Sequence, residues 1–191
     1  MRLGVYGGAY DPPHLGHLVA ASDACEALGL DRLLWIPSAV HPLKPVRTAA
    51  DVRLEMVRAA VAGDGRFVAD GLELQRAGPS YTVDTLRELR AREPEAELFF
   101  LTGADNLREL PRWREPGEIA RLATLAVLER AGEALPADPP LAAVAVMVTR
   151  VDVSSTDIRR RVAAGQSIRY LVPEAVRAVI ERERLYRDHT R

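Results

Sequence analysis

The sequence predicts an α/β protein with a doubly wound, mainly parallel sheet and helices on both faces. Short, almost continuous apolar runs alternate along the chain with longer segments whose apolar residues recur at helical spacing. Strands that are apolar at nearly every position are buried on both faces, which is typical of parallel sheets covered by helices. With 191 residues, of which 48% are hydrophobic and 28% charged, the chain has the length and composition of one globular domain.

The N-terminal half contains three predicted strands, each followed by a predicted helix. The first strand runs into a glycine-rich loop, and the second ends where Pro37, Pro42 and Pro45 indicate an irregular loop. The strands are Arg2–Gly7, Arg32–Ile36 and Phe67–Ala69, and the helical spacing is carried by Leu15, Leu18, Val19 and Ser22, by Leu54, Val57 and Val61, and by Val83, Leu86 and Leu89.

The C-terminal half contains three more predicted strands and two closing helices rich in arginine. The segment Ala131–Pro140, with three prolines, is predicted to be a surface loop. Because right-handed crossovers bring the carboxyl ends of parallel strands to one edge, we expect the functional site at that edge. The strands are Leu98–Leu101, Leu125–Leu128 and Ala143–Val148, and the helices are marked by Ile158 and Val162 and by Val176, Val179 and Ile180.

Charge and cysteine content exclude several classes of protein. The 26 Lys and Arg residues nearly balance 27 Asp and Glu residues, for a net charge of −1, which argues against a nucleic-acid-binding protein. With Cys25 alone, no intramolecular disulfide or thiolate zinc cluster can form. No apolar signal-peptide core is present, and the longest apolar stretch, Leu141–Val148, is far shorter than the roughly 20 residues of a membrane span. We therefore expect a cytoplasmic protein without nucleic-acid or membrane partners.

The loop between the first strand and the first helix has the features of a phosphate-binding site. In a doubly wound sheet, the N–H groups at the start of this helix favour an anion. Gly7 and Gly8 lack a Cβ atom, so a ligand can approach the backbone closely. His14 and His17 are three residues apart, which projects both imidazoles from one side of the first helical turn. We expect these rings at the surface, where they donate to phosphate oxygens.

Other interpretations of this loop stay open from the residues alone. The glycines can serve only a tight turn, and either histidine can be structural. The histidine pair can also belong to a zinc site, although zinc then needs a third ligand from His41, Cys25 or a carboxylate. Two known phosphate loops are excluded, because the dinucleotide fingerprint needs another glycine spacing and the P-loop needs Gly-Lys-Ser/Thr, whereas the only lysine, Lys44, follows Leu43.

Two segments resemble the signatures of the HxGH nucleotidylyltransferase superfamily. The first is Gly7-Gly8-Ala9-Tyr10-Asp11-Pro12 with His14-x-Gly16-His17, and the second is Ser154-Ser155-Thr156-Asp157-Ile158-Arg159. Taken alone, the second segment is a helix N-cap with an acidic residue in the first turn, to which Arg159 adds a bidentate phosphate donor. Three further segments narrow the resemblance to the nicotinate-nucleotide adenylyltransferases: Gly78–Leu86, Gly103–Leu107 with Trp113, and Tyr170–Val176.

The resemblance implies a Rossmann-like nucleotidyltransferase fold and an enzyme of NAD biosynthesis. Members of this family transfer the adenylyl group of ATP, with Mg²⁺, to nicotinate mononucleotide and release pyrophosphate. The resemblance also implies that residues 1–191 form one nucleotidylyltransferase domain, whose C-terminal helical part begins near residue 154 and carries the second signature. The implied catalytic residues are His14, His17, Lys44 and Arg159, and no protein ligand to a metal is implied.

The resemblance further assigns residues to each substrate. The implied ATP-binding residues are Gly7, Gly8, Ala9, Tyr10, His14, His17, Gly103, Asp105, Ser154, Ser155, Thr156, Ile158 and Arg159. The implied acceptor-binding residues are Tyr81, Thr82, Thr85, Trp113 and Arg114. In this assignment Trp113 stacks on the pyridine ring, and backbone N–H groups near Thr85 and Arg114 face the ring carboxylate. From sequence alone, Trp113 can equally be a half-buried surface aromatic.

One departure from the family pattern affects the loop after the second strand. The family often has Pro-Pro-His-Lys there, and this chain has His41-Pro42-Leu43-Lys44, so Leu43 takes the place of the histidine. His41 lies two residues earlier and can substitute for it. Three other functions stay open: transfer to nicotinamide mononucleotide, transfer to phosphopantetheine, or nucleotide binding without catalysis.

Overall fold

The computed structural model describes residues 1–42, 45–130 and 141–187. Within these residues the chain forms six strands, β1 (Arg2–Gly8), β2 (Arg32–Pro37), β3 (Phe67–Ala69), β4 (Glu97–Gly103), β5 (Thr124–Arg130) and β6 (Ala143–Val148). They build one sheet in the order β3-β2-β1-β4-β5-β6, and each neighbouring pair is parallel. The predicted doubly wound parallel sheet is confirmed, with all six predicted strands.

The described residues also form seven α-helices, of which the first five pack on the sheet: α1 (Leu15–Leu28), α2 (Ala50–Val61), α3 (Thr82–Arg92), α4 (Ala104–Glu109), α5 (Pro116–Leu122), α6 (Ser155–Ala163) and α7 (Glu174–Arg182). Helix α1 stops at Gly29, whose φ of 58° is a left-handed conformation that glycine adopts without steric cost. The sequence did not predict α4 and α5. These helices have only six and seven residues, too few to show a helical period.

Both faces of the central strands are buried, as the continuous apolar runs predicted, but the edge strand β6 leaves Ala145 and Met147 exposed on one face, which corrects the prediction for that strand. Successive residues of β4 point to opposite faces. Leu98 and Phe100 pack with α3 and α5 on one face, and Phe99 and Leu101 pack with α1 and α2 on the other. Since helices cover both faces, a ligand reaches the sheet at the ends of the strands.

A third apolar cluster joins the C-terminal helices to α2. Met56 of α2 is fully buried and packs with Ile158 of α6 and Val179 of α7. Ahead of α7, the carbonyl of Leu171 accepts the N–H of Leu15 at 3.0 Å, which joins this segment to the start of α1. The C-terminal helices are thereby held beside the loop that follows β1.

Three features predicted from the sequence fall outside the described residues: the surface loop Ala131–Pro140, Lys44 and its neighbour Leu43. In the described part of the chain, no helix is long and apolar enough to cross a membrane.

Candidate functional site

The strand order reverses at β1, and this reversal opens a crevice at the carboxyl edge of the sheet. The chain leaves β1 for α1 on one face, whereas it leaves β4 for α4 on the other face. Diverging loops of this kind form the ligand-binding crevice of doubly wound sheets. The crevice holds a cavity of about 510 Å³, a volume that suits a small ligand. Its wall includes Gly7 and Gly8 at the end of β1, Ser38 after β2, Thr102 near the end of β4 and Asp105 in α4.

His14 and His17 stack on each other at the start of α1. Their ring centroids are 3.7 Å apart, and the backbone N–H of His14 donates to Nδ1 of His17 at 3.2 Å. This hydrogen bond leaves Nε2 as the N–H donor of a neutral His17 ring. The expectation that both rings lie at the surface is wrong for His14, which is 5% exposed because the ring packs into the loop, whereas His17 is half-buried.

Tyr10 belongs to the core beneath this loop. It is 2% exposed, and its ring lies against the rings of His17 and Trp35 at centroid distances of 5.3 and 5.4 Å. Its hydroxyl donates to the carbonyl of Tyr6 at 2.7 Å. Its φ of 49° is uncommon for a residue with a side chain, and this packing holds it there. The buried side chain of Tyr10 is therefore not available to ATP. The predicted ATP contact at this residue stays a prediction for its backbone atoms only.

The second signature begins α6 and bonds to the loop after β1. Ser154 caps the helix by accepting the N–H of the third helical residue at 3.1 Å. The Ser155 hydroxyl donates to the carbonyl of Pro12 at 2.8 Å, and Nη1 of Arg159 donates to the carbonyl of Asp11 at 2.7 Å. The two signatures, which are far apart in sequence, are adjacent in the structure.

The two remaining signature residues of α6 differ in their environment. Thr156 is exposed, and its hydroxyl accepts from Nη2 of Arg159 at 3.2 Å. Ile158 is fully buried in the cluster that joins α6 to α7, and its N–H donates to the carbonyl of Ser154 at 3.0 Å. The Ile158 side chain therefore fixes the helix in place rather than facing the crevice.

A buried carboxylate joins the same loop to the last described segment of the chain. Asp11 is 5% exposed, and the hydroxyl of Tyr186 donates to its Oδ1 at 2.6 Å. Burial and the nearby Asp11 carboxylate raise the pKa of Tyr186 well above its usual range, so the phenol stays a donor at ordinary pH. No sequence pattern indicates this pair, because the two residues lie 175 positions apart.

The five residues expected to bind the acceptor all line the same cavity. The guanidinium of Arg114 lies 5.0 Å from the centroid of the Tyr81 ring, and Trp113 contacts Phe100 with ring centroids 6.1 Å apart. An apolar wall with aromatic rings suits a flat heterocycle. The five residues are Tyr81, Thr82 and Thr85 from the start of α3, and Trp113 and Arg114 from the turn before α5.

Thr85 uses its polar groups within the protein. Its N–H donates to the carbonyl of Tyr81 at 3.2 Å inside α3. Its hydroxyl donates to Oε1 of Glu73 at 2.6 Å and accepts from Nη2 of Arg76 at 2.7 Å. The N–H groups that a helix leaves without a helical partner belong to its first turn, which begins at Thr82. A ligand carboxylate at this helix would therefore meet Thr82 before Thr85.

Glu73 is a buried carboxyl group in the cavity wall that the sequence did not reveal. It is 7% exposed, and burial raises its pKa above the usual value of 4.5. Hydrogen bonds from Thr85 and Ser80 and the positive charges of Arg76 and Arg53 oppose this rise. The carboxyl is thus the acceptor around which this part of the wall is organised.

Three buried polar atoms of the cavity wall have no hydrogen-bond partner among residues 1–42, 45–130 and 141–187. They are Oγ of Ser38, Oγ1 of Thr102 and Nε1 of Trp113. An unsatisfied buried polar group costs about 1–3 kcal/mol, so native proteins normally provide a partner. A polar ligand in the cavity would supply these partners. Ser38 and Thr102 could not be predicted from the sequence, because a small hydroxyl residue at a strand end belongs to no recognisable sequence motif.

Within the described ranges, no group of three or more His, Cys, Asp or Glu side chains is placed to hold a metal ion. The zinc interpretation of the histidine pair therefore finds no further ligands in that part of the chain.

Comparisons with known proteins agree on one kind of relative. The family model described as Cytidylyltransferase-like matches residues 5–161. A Thermus thermophilus protein named "Probable nicotinate-nucleotide adenylyltransferase" is 50% identical over 187 residues, which cover 98% of this chain and 100% of that protein. A Rubrobacter xylanophilus protein of the same name is 42% identical over 202 residues, which cover 100% and 94% of the two chains.

A solved structure shares the fold. Plasmodium falciparum nicotinic acid mononucleotide adenylyltransferase, complexed with NaAD, has a TM-score of 0.80 at 15% identity, with 97% of each chain covered.

The raised pKa of Glu73 predicts how Glu73→Gln changes stability with pH. The folded chain holds the Glu73 proton more tightly than the unfolded chain, so this stabilisation is present below pH 4.5 and is lost as pH rises through the folded pKa. We expect Glu73→Gln to gain free energy of unfolding relative to wild type as pH rises above 4.5, measured by urea titration. The exposed Glu95→Gln serves as control. A stability difference that is constant with pH would contradict the raised pKa.

Proposed function

Because the chain belongs to the cytidylyltransferase-like family, and within it to the nicotinate-nucleotide adenylyltransferases, we propose that it makes nicotinate adenine dinucleotide for NAD biosynthesis. It transfers the adenylyl group of ATP to nicotinate mononucleotide and releases pyrophosphate. The observation that carries the proposal is that a glycine loop with stacked histidines and an aromatic-lined cavity meet at one sheet edge. We propose further that residues 1–191 act as one domain in the cytoplasm.

The proposed chemistry depends on positioning. An oxygen of the acceptor phosphate attacks the α-phosphorus of ATP, a P–O bond forms, and the bond from the α-phosphorus to the oxygen that bridges the β-phosphorus breaks. The acceptor phosphate is already ionised near neutral pH, so no general base and no covalent nucleophile is required. The rate enhancement then comes from holding the two phosphates in line and from stabilising the charge on the transferred group.

In the proposal, the triphosphate lies along the loop after β1. Gly7 and Gly8 let it approach the backbone, and His14 and His17 donate to its oxygens. The stacked histidine rings at a helix N-terminus support this role, because that end of a helix favours anions. Arg159 donates through Nη1 to the Asp11 carbonyl and through Nη2 to the Thr156 hydroxyl, and its remaining guanidinium N–H donors are proposed for phosphate.

Two further residues complete the proposed ATP side. Lys44 neutralises charge on the transferred group and the leaving pyrophosphate, as the resemblance implies. Asp105 is exposed next to Gly103 at the end of β4 and faces the nucleotide ribose. Its exposure supports this role, since a carboxylate held in the core could not bond a ribose hydroxyl.

Nucleotidyl transfer depends on a divalent metal ion, which we propose to be Mg²⁺. The described residues form no cluster of ligands that fits such an ion, so no side chain is assigned to it. Mg²⁺ is instead proposed to arrive with ATP, held by phosphate oxygens and water, as its coordination chemistry prefers.

The acceptor is proposed to place its pyridine ring against Trp113. The ring carboxylate then meets donors: the first turn of α3 at Thr82, the indole N–H of Trp113 and the guanidinium of Arg114, whose Nη1 also donates to Oδ2 of Asp84 at 3.3 Å. Tyr81 supports the Arg114 guanidinium through its ring face. Thr85 acts through Glu73, to which it is bonded, and thereby shapes this end of the cavity.

The donors around the ring predict a preference for the acid over the amide. A carboxylate accepts from every donor, whereas the NH₂ group of nicotinamide mononucleotide meets donors and leaves them unpaired. We expect kcat/KM for nicotinate mononucleotide to exceed that for the amide by about 10²-fold or more. Pyrophosphate release is measured with both mononucleotides and with phosphopantetheine at saturating ATP and Mg²⁺. Equal efficiencies contradict the donor arrangement, and no turnover with any acceptor indicates a binding module.

The His14→Ala and His17→Ala variants should differ in thermal stability but should lower kcat to a similar extent. We expect His14→Ala and His17→Ala each to lower kcat by about 10²-fold, the loss that follows removal of one preorganised donor. His14→Ala should also lower the melting temperature, because His14 is buried, whereas His17→Ala should change it less. Steady-state kinetics and thermal melting are compared. Wild-type kcat in a folded variant removes that histidine from the mechanism.

Thr102→Val should increase stability and weaken acceptor binding. The substitution removes a buried hydroxyl that has no partner among the described residues while keeping the shape of the side chain. We expect the free energy of unfolding to rise by about 1 kcal/mol and KM for nicotinate mononucleotide to rise several-fold. The exposed Thr149→Val is the control. An unchanged KM would mean that the Thr102 hydroxyl does not contact the acceptor.

A further inference from the structure

Arg53 is a fully buried arginine that bonds backbone carbonyls from three separate segments. It lies in the first turns of α2 and is 1% exposed. Its Nε donates to the carbonyl of Thr48 at 3.0 Å, and Nη1 donates to the carbonyl of Ala9 at 2.7 Å. Its Nη2 donates to the carbonyls of Ser38 at 2.6 Å and Ala39 at 3.2 Å. One guanidinium thus joins the loop after β1, the loop after β2 and the segment that leads into α2.

Burying a charged side chain costs free energy, so the burial of Arg53 needs a physical explanation. Desolvation lowers the pKa of Arg53 below its usual value, but a guanidinium remains charged at ordinary pH. Buried charges persist where their hydrogen bonds are satisfied, and here the four carbonyl oxygens supply them. An apolar residue would suffice to pack this face of α2, so the position of the two loops is the property that Arg53 provides.

The hydrogen bonds continue from the Arg53 loop to the start of α3. The N–H of Ala39, whose carbonyl accepts from Arg53, donates to Oγ of Ser80 at 2.9 Å. The N–H of Ser80 donates to the carbonyl of Val40 at 2.8 Å. Ser80 precedes Tyr81, the N-cap of α3, and both line the cavity. A continuous path therefore runs from the glycine loop through Arg53 to the acceptor side of the cavity.

We propose that Arg53 is a positioning residue that couples ATP binding to acceptor binding by holding the loop of Ala9 against the loop of Ser38 and Ala39. This inference rests on the proposed function, since it concerns the two substrates of that reaction. When ATP orders the first loop, the shared guanidinium also orders the second loop, so the acceptor binds with a smaller ordering cost. The N–H of Ser38 also donates directly to the carbonyl of Gly8 at 2.9 Å, which keeps the two loops adjacent. This bond does not hold Ala39 or Ser80, so their positions depend on Arg53.

The test compares Arg53→Lys with wild type. Lysine keeps the charge but lacks the rigid five-donor fork, so it cannot bond three segments at once. Titration calorimetry gives Kd for an ATP analogue with a methylene between the α- and β-phosphates, with and without nicotinate mononucleotide. We expect wild type to bind the analogue about fivefold or more tightly with the mononucleotide present, and Arg53→Lys to lose this coupling. We also expect kcat to fall about tenfold or more in Arg53→Lys, because the two phosphates are no longer aligned.

Two controls separate positioning from a general effect on folding. Arg58→Lys, at an exposed position of the same helix, should keep wild-type coupling and kcat. Arg53→Met should lose coupling as fully as Arg53→Lys and lose more thermal stability. A purely structural arginine would lower the melting temperature while the folded fraction kept its coupling, and that result would overturn the inference.

If neither Arg53 variant folds, Ser80→Ala decides, because it removes the bond to Ala39 without removing a buried charge; Glu73→Ala, which removes the Ser80–Glu73 bond but keeps the bond to Ala39, is its control. Lost coupling in folded Ser80→Ala supports the path, and retained coupling overturns it. A wild-type chain that binds both ligands without coupling also overturns the inference. If the wild-type chain shows no turnover with ATP and nicotinate mononucleotide, that result contradicts the proposed function itself rather than the role of Arg53.

Discussion

The parallel pairing of β1 with both β2 and β4 is the constraint on which the site depends. Because the helices after β1 and β4 lie on opposite faces of the sheet, the loops after these strands diverge and leave a crevice. Gly7 and Gly8 line one part of the cavity in this crevice, and Trp113 lines another. The same pairing brings the carbonyls of Ala9 and Ser38 within reach of one guanidinium.

Arginines of this protein make contacts of physically different kinds. Arg53 and Arg159 bond backbone carbonyls of the loops that form the site, where the planar guanidinium orders polar backbone that no helix or strand satisfies. Exposed arginines such as Arg121 and Arg160 instead pair with carboxylates of their own helix. Exposed pairs contribute little to stability. Arg53 is therefore distinguished by its burial, and Arg159 by the loop carbonyl that it bonds.

The strands were predictable because they are uninterrupted apolar runs, which reflect burial on both faces in the central strands but not in the edge strand β6. The site was predictable only where a motif marks it. Arg53 and Glu73 were missed because helical patterns assign charged residues to solvent, and only the packed structure shows that both are buried. The motifs also do not separate ligand contact from packing. Tyr10 and Ile158 lie in the two signatures, yet their side chains are in the core.

The central claim is that this edge of the sheet aligns two phosphates for one direct displacement at the α-phosphorus of ATP. The stereochemistry of that atom tests it most directly, using ATP with sulfur in place of one non-bridging α-oxygen and nicotinate mononucleotide as acceptor. A single in-line attack inverts the configuration, and inversion is the predicted result. Retention requires two displacements through a covalent adenylyl-enzyme, and it would contradict an account in which the side chains only bind and align.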